Sequence, residues 1–584
     1  MIHELLEQLE IERTDDIPLL VGTLQKMRLA ALLDAHFRTH GNWAGQLTLG
    51  EVVLVWLAFI LSQADHRLNH VEPWAAQRLV LLSALLGKEV RALDFSDDRL
   101  AAILDALADQ ERWNVFEAEL NGSIIRVYKI IYDSYGIRVD TTTSYTYTSS
   151  DDPDSIFQQG HSKDHRPDLN QIKIGMATLD PLGLPLVCTV VAGNCADDPL
   201  YIPIIQQVQT TLPPGGNTYF CDCKGAALET RAYVADSDDY FACPLSATQV
   251  GADELQKLLD PVFAGTIPLS TVYRPGASDN EPGEAIAEGY SYLVPMKAVL
   301  NGAEVIWVER RFVVCSFKHQ QHQQKKLQER IDKALIELRR LTERKKGKKK
   351  LTKEQLQERI DGILDRYDVR GLINVEVKIT RKRIKRRKHK DRPAGVRVEV
   401  TYEVKAQVKE QEFQKQKQMC GWRVYATNNL QMTLTDMVLG YRNQYGVENG
   451  FDRMKNQPLG LSPMYLQEET RVVGLVHLLG VGLRTLTLLE FVVRRNLKKN
   501  GEKLQNVYAG QNGRKTSTPS AELLLRAFKG INLLVETTAD GTITAIKPLS
   551  DVQQRILELL DLPGDLYTRL TSPSLVSVQT FNEP

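Results

Sequence analysis

"IIRVYKIIYDSYGIRVDTTT", residues 124–143, is where the character of this 584-residue chain changes. Upstream, residues 1 to about 125 read as helix throughout. "EVVLVWLAFILSQADHRLNHVEPW" and "DDRLAAILDALADQERWNVFEAEL" carry helical apolar periodicity, the second starting after Ser96 as a candidate N-cap. In 124–143 β-branched and aromatic residues take over, and "GIRVD" predicts a strand closing on Asp140. A loop, "GHSKDHRPDLN", follows. Next come two strands in "QIKIGMATLDPLGLPLVCTVVAG", turned at Asp180-Pro181-Leu182-Gly183. "DPLYIPIIQQVQTTL" predicts a helix, "NTYFCDCKG" a strand carrying Asp222, "AALETRAYVADS" a helix and "YFACPLS" a strand. Three strands, then helix, strand, helix, strand, imply a mixed α/β layer whose crossover helices feed parallel strands.

The length allows about three or four compact units. The character shifts place a helical region at 1–125, the first part of the α/β core at 126–245, an insertion at 246–420, the second part of the core at 421–500, and a helix–hairpin–helix region at 501–584. The insertion carries a polar helix, "HQQHQQKKLQERIDKALIELRRLTERKK", and two basic runs. "RKKGKKK" (344–350) includes Lys348 and Lys349, and "RKRIKRRKHKDR" (381–392) includes Arg386 and Arg387. Such runs are often solvated linkers. With net charge zero, attraction to a polyanion has to come from local clusters of this kind.

Apolar residues make up 43% of the chain and charged residues 25%, ordinary for a globular protein. The opening "MIHELLEQLEIERTDD" has no apolar signal-like stretch. "VVGLVHLLGVGLRTLTLLEFVV" (472–493) is interrupted by His477, Arg484 and Glu490, which predicts a buried core helix and no membrane span. Seven scattered cysteines predict reduced thiols in a cytoplasmic protein.

The candidate chemistry lies in carboxylates. Asp140 and Asp222 sit at predicted strand ends, where groups of open α/β sheets collect around a cleft. Turn and cap chemistry places aspartates there too. In "YRNQYGVENGFDRMK" (441–455), a helix at 100° per residue puts Tyr441, Gln444, Glu448 and Lys455 on one stripe about 60° wide. A solvated helix face is the plain alternative. Two strand aspartates and a helical glutamate supply oxygen donors suited to Mg²⁺, with Mn²⁺ able to substitute. A pair of such ions about 3.5–4 Å apart activates a nucleophile and stabilises a leaving oxygen. Cys221 and Cys223 would both face one side of a strand, but zinc wants four ligands and no second pair is evident. His161 and His165 have ligand-like spacing in what reads as a loop. In that loop Lys163 and Arg166 could meet DNA phosphates.

"RVDTTT", "GHSKDHRPDLNQIKI", "DPLGLPL", "ADDPLYIP", "CDCKGAALETRAY" and "YRNQYGVENGFDRMK", in this order, resemble the blocks of DDE transposases from bacterial insertion sequences. The likeness is to the group with a Y-x2-R-x3-E-x6-K signature, insertion sequence 1634 type, and it covers most of the chain. It implies an RNase H-like catalytic core behind a helical N-terminal domain, with an insertion between the second aspartate and the glutamate. It also implies an acidic triad of Asp140, Asp222 and Glu448 holding Mg²⁺. Tyr441 and Lys455 take the signature tyrosine and lysine, while Gln444 stands where the arginine belongs and supplies no charged fork. The implied partners are double-stranded DNA, as element ends and target, and a second copy in the DNA complex. The implied reaction is DNA cleavage followed by strand transfer. Its rivals are a metal nuclease that cuts without joining and a silent DNA-binding relic.

Overall fold

The computed structural model describes residues 9–39, 43–131, 136–150, 152–276, 283–343, 351–387, 395–443, 445–511, 513–538 and 541–571. Lys348, Lys349 and Gln444 lie outside the described residues. The chain forms two compact units: Met1–Cys243 with Pro295–Trp307 and Gly440–Pro584, and Pro244–Val294 with Val308–Leu439.

The first unit opens with helices, as the periodicity predicts. Helix α1 (Leu49–Gln63) is apolar almost all round and buried from Leu49 to Leu61 apart from Glu51, the pattern of a core helix. Its start is fixed by a capping box. Thr48 Oγ1 accepts from the Glu51 amide at 3.2 Å, and Glu51 Oε2 accepts from the Thr48 amide at 2.8 Å. Thr48→Ala is expected to lower stability by about 1 kcal/mol, read from the denaturant midpoint. Ser96 stands at the N-cap of helix Asp97–Leu107, but its side chain makes no cap bond. Helix α2 (Gln110–Val127) completes the set and runs two residues past the expected boundary.

The expectation of helix throughout 1–125 fails at its start. Leu9–Arg13 is a strand, paired antiparallel with Asn532–Thr538, which itself forms a hairpin with Gly541–Ile546. Five residues, "LEIER", carry no periodic signal, and their partner strand lies at the far end of the sequence.

Beyond α2 comes the sheet. Its strands here are β1 (Gly136–Thr146), β2 (Asn170–Leu179), β3 (Leu184–Ala192), β4 (Thr218–Cys221) and β5 (Tyr240–Pro244), in the spatial order β3-β2-β1-β4-β5. The first three pair antiparallel, the first two across the long loop after Thr146 and the second two through a short turn, whereas β1–β4 and β4–β5 are parallel. Helices α3 (Tyr201–Thr211) and α4 (Leu228–Asp236) supply the crossovers that parallel pairing requires. This is the mixed α/β layer that the order of predicted elements implies.

Helix α5 (Tyr445–Lys455) follows the second unit's segment, and α6 (Glu469–Asn500) runs through the core of the first unit. By length and composition α6 could cross a membrane. Here it is buried over most of Val472–Leu497, and the three residues that interrupt its apolar run each have a protein partner. His477 Nδ1 lies 2.9 Å from the Leu107 carbonyl, with its ring stacked on Trp113 at 4.3 Å. Arg484 donates to Glu117 Oε1 (2.7 Å), Asn121 Oδ1 (3.0 Å) and the Leu186 carbonyl (3.1 Å), tying α2 and β3 to α6. Glu490 pairs with Arg453 and Arg494. At Gly474 a Cβ would stand 2.1 Å from the Leu104 carbonyl oxygen, so only glycine lets α6 lie this close to helix Asp97–Leu107.

The second unit holds strands Trp422–Thr427 and Ser270–Tyr273, with the strand segments Val308–Ser316 and Ala285–Val294 between them in that order. A separate core joins helices Phe317–Arg340 and Lys353–Arg366 to the base of a two-stranded antiparallel ribbon, β6 (Ile373–Arg386) and β7 (Gly395–Val408). The basic run beginning at Arg381 is therefore strand as far as Arg386, where a linker was a candidate reading. Its residues pair one-to-one with β7.

Candidate active-site cleft

Strand register brings the two aspartates together. β1 and β4 are parallel neighbours whose last paired residues are Val139 and Cys221. Asp140 and Asp222 each come one residue later, at the same level on adjacent chains, and the alternation of a strand turns both away from the side that Val139 and Cys221 take. Asp140 does not close its strand as expected. β1 continues to Thr146 because its antiparallel partner β2 keeps pairing as far as Asn170. Asp222 is the one at a strand end, and it does perform turn chemistry. Its Oδ1 accepts from the Lys224 amide at 2.8 Å, the Gly225 amide at 3.3 Å and the Tyr201 hydroxyl at 2.6 Å. Gly225 is needed there, since a Cβ would fall 2.5 Å from Cys221 Cβ and 2.7 Å from the Tyr201 ring.

Glu448 comes from α5. Val447, Phe451 and Met454 are buried and fasten that helix, while Glu448, Asp452 and Lys455 line a cleft of 450 Å³. Across the cleft stand Asp140, Thr141, Thr142 and Tyr145 of β1, with Lys163 and Asp164 from the loop after it. The stripe read over 441–455 as one helix is broken. Leu434–Arg442 is a separate helix, Asn443 is a turn, and α5 starts at Tyr445. Tyr441 is thus half-buried on the preceding helix and does not line the cleft.

Two lysines place positive charge among these carboxylates. Lys163 Nζ sits 3.7 Å from Asp140 Oδ1 and donates to Thr141 Oγ1 at 3.1 Å. Lys455 Nζ pairs with Asp164 and lies 3.5 Å from Thr142 Oγ1. Arg166 is engaged elsewhere, in a two-bond pair with Asp168 (3.0 and 2.9 Å) and over the Tyr145 ring. Burial pushes the Asp140 carboxyl up to about 6. Lys163 and the Thr141 amide pull it back, and the negative charges of Asp222 and Glu448 push it further up. Asp140 and Glu448 line the same cleft, while Asp222, level with Asp140 on the neighbouring strand, is not among its lining residues.

Among the described residues no group of three or more His, Cys, Asp or Glu is arranged to hold a metal ion. The donor chemistry suits a hard divalent cation all the same: these are oxygen donors, and the charge on Asp140 is costly beside two like charges until a cation offsets it. Zinc fits less well. Cys221 is buried at the end of β4 and Cys223 is exposed beyond it, so the two thiols do not share a strand face. His161 and His165 are exposed on the loop. Arg386, the last residue of β6, and Arg387 beyond it are both exposed.

Three functional candidates escaped the sequence reading. Asp452 follows Glu448 by one helical turn, a spacing visible in the sequence. Asp164 was visible only as a loop residue, and nothing local marks the Tyr201 hydroxyl as a partner for Asp222.

Residues 9–120 match the family model described as a domain of unknown function, DUF4277. No curated protein matches the chain. Among solved structures, the cryo-EM structure of a piggyBac transposase synaptic complex with hairpin DNA is similar over 85% of this chain and 80% of that one. The identity is 10% and the TM-score 0.33, a likeness from which neither fold nor activity is carried over.

Proposed function

We propose that this protein is a DNA transposase of the DDE kind. Water would cut the phosphodiester at an element end, and the freed 3′-hydroxyl would then attack a phosphodiester of target DNA, one bond forming as one breaks. The observation that carries this reading is the meeting of Asp140 and Asp222 on neighbouring parallel strands, with Glu448 lining the same cleft as Asp140. An RNase H-like core is supported by the same placement: one aspartate on the first strand, one at the end of the fourth, and the glutamate on a later helix.

Asp140, Asp222 and Glu448 would hold Mg²⁺, which supplies Lewis-acid stabilisation of the attacking and leaving oxygens when bound. The chain's own residues would do the rest. The Tyr201 hydroxyl and two backbone amides fix the Asp222 carboxylate. Lys455, now paired with Asp164, would exchange that partner for a DNA phosphate, and Lys163 would do likewise beside Asp140. A dimer on two element ends completes the proposal.

The test uses purified protein, Mg²⁺ and a labelled duplex carrying the ends of the element that encodes it. Joined products that disappear with Glu448→Gln are expected. Nicks without joining would replace the proposal with a nuclease, and binding without cleavage in either protein would leave a relic.

A further inference from the structure

The β6–β7 ribbon changes character halfway along one face. Directly opposed residues of an antiparallel pair share a face, so Ile373, Val375, Val377 and Ile379 stand with Val408, Ala406, Val404 and Tyr402. All but Ile379 belong to, or pack against, the buried core of the second unit. Beyond that core the β7 row stays apolar, with Val400, Val398 and Val396. The β6 row turns basic, with Arg381 opposite Val400, Arg383 opposite Val398 and Lys385 opposite Val396. Val398 and Val396 are 49% and 62% exposed. No acid lies on this half of the face. The reverse face also carries three cations but has an acid and no row of valines: Lys382 stands opposite Glu399, Ile384 opposite Arg397 and Arg386 opposite Gly395.

A row of cations beside a row of bare valines needs a partner that is both polyanionic and able to accept methyl contacts. We propose that this outer half of the ribbon lies in the major groove of duplex DNA, its Arg381–Arg383–Lys385 face turned toward the bases. A two-stranded ribbon fits the major groove, about 12 Å wide, where thymine methyls accept apolar contacts and guanine edges accept arginine or lysine. Phosphate attraction alone would leave the valines without a role and would not distinguish the two faces. The inference rests on the reading of the protein as DNA-binding, and extends it from charge to a groove and a face.

The test measures binding of the full-length protein to duplex DNA without Mg²⁺, across a salt series, so that cutting plays no part. Arg381→Gln/Arg383→Gln/Lys385→Gln is expected to weaken binding at least tenfold. Its log–log salt slope should be shallower by about 2–3, at roughly 0.9 for each phosphate no longer neutralised. Lys382→Gln/Arg386→Gln, on the reverse face, should change the slope by less than half as much. Val396→Ser/Val398→Ser should weaken binding with the slope unchanged. Melting temperatures report whether the variants stay folded.

Equal losses from the two faces, or no loss from the valine pair, would overturn the groove assignment. Equal affinity for duplex RNA, whose deep and narrow major groove excludes side chains, would also overturn it. So would binding to phosphatidylserine vesicles in place of DNA. Wild-type protein that binds duplex while all ribbon variants bind equally well would sink this inference alone. Wild-type protein that binds no duplex would remove the transposase reading with it.

Discussion

Asp140→Asn is expected to stabilise the protein at pH 8 while ending the proposed strand cutting. The Asp140 carboxyl is held at about 6 in the folded chain, against an ordinary value of 3.8. A carboxyl raised on folding binds its proton more tightly in the native state, so its charged form counts against folding. That penalty is full above pH 6 and gone below pH 3.8. By linkage, a shift of this size corresponds to about 3 kcal/mol, an upper bound because Lys163 loses its partner in the variant. Urea midpoints at pH 8 and pH 5 decide the point. The variant should be the more stable protein at pH 8, with the difference shrinking as pH falls. A variant less stable than wild type at pH 8 would mean that the carboxylate is a structural asset. Loss of strand cutting should be at least about 10²-fold, the scale seen when one preorganised charge-stabilising group is removed. A residue that costs stability and carries activity is the usual signature of a functional site.

Arg484→Met should have the largest effect on stability. Arg484 and Glu117 are fully buried, and their ion pair at 2.7 Å joins α6 to α2. Burial pushes the Glu117 carboxyl up, and Arg484 is the main influence holding it down. Removing the arginine strands a buried acid along with the Asn121 Oδ1 that the guanidinium served, while the Leu186 carbonyl keeps its 2.6 Å bond from Asn121 Nδ2. The expected cost is about 3–5 kcal/mol. The double change Arg484→Met/Glu117→Leu should recover most of it, because two apolar groups of similar volume need no partner. A loss below about 1 kcal/mol for the single change, from denaturant midpoints, would show that water or a shifted side chain satisfies Glu117.

Local periodicity made the α/β layer readable. Strands β1 to β5 and helices α3 and α4 each announce themselves by apolar alternation or by a turn. Asp140, Asp222 and Glu448 were legible as candidates because each sits beside such a signal. What could not be read depends on pairing between distant segments. The extension of β1 past Asp140 is set by β2, and the break between Tyr441 and Glu448 interrupts a stripe that 100° arithmetic treats as continuous. The ribbon's basic strand was hidden for a similar reason: "RKRIKR" has no apolar alternation of its own and becomes a strand only against the valines of β7.

Pairing of Leu9–Arg13 with Asn532–Thr538 also sets a clock. The second strand leaves the ribosome more than 500 residues after the first, which at roughly 5–20 residues per second is a wait of about half a minute to two minutes. Until then Asp15 and Asp16 have only their early partners, Arg13 and Ser62, and lack the late ones: the Gly530 amide, which donates to Asp15 Oδ1 at 2.7 Å, the Lys529 amine, 3.0 Å from Asp16, and the Tyr567 hydroxyl, 2.9 Å from the Asp15 carbonyl. The helices that begin the chain are thus made first and locked last. A message cut short before its final tenth would yield chains with every cleft residue present and the clasp missing.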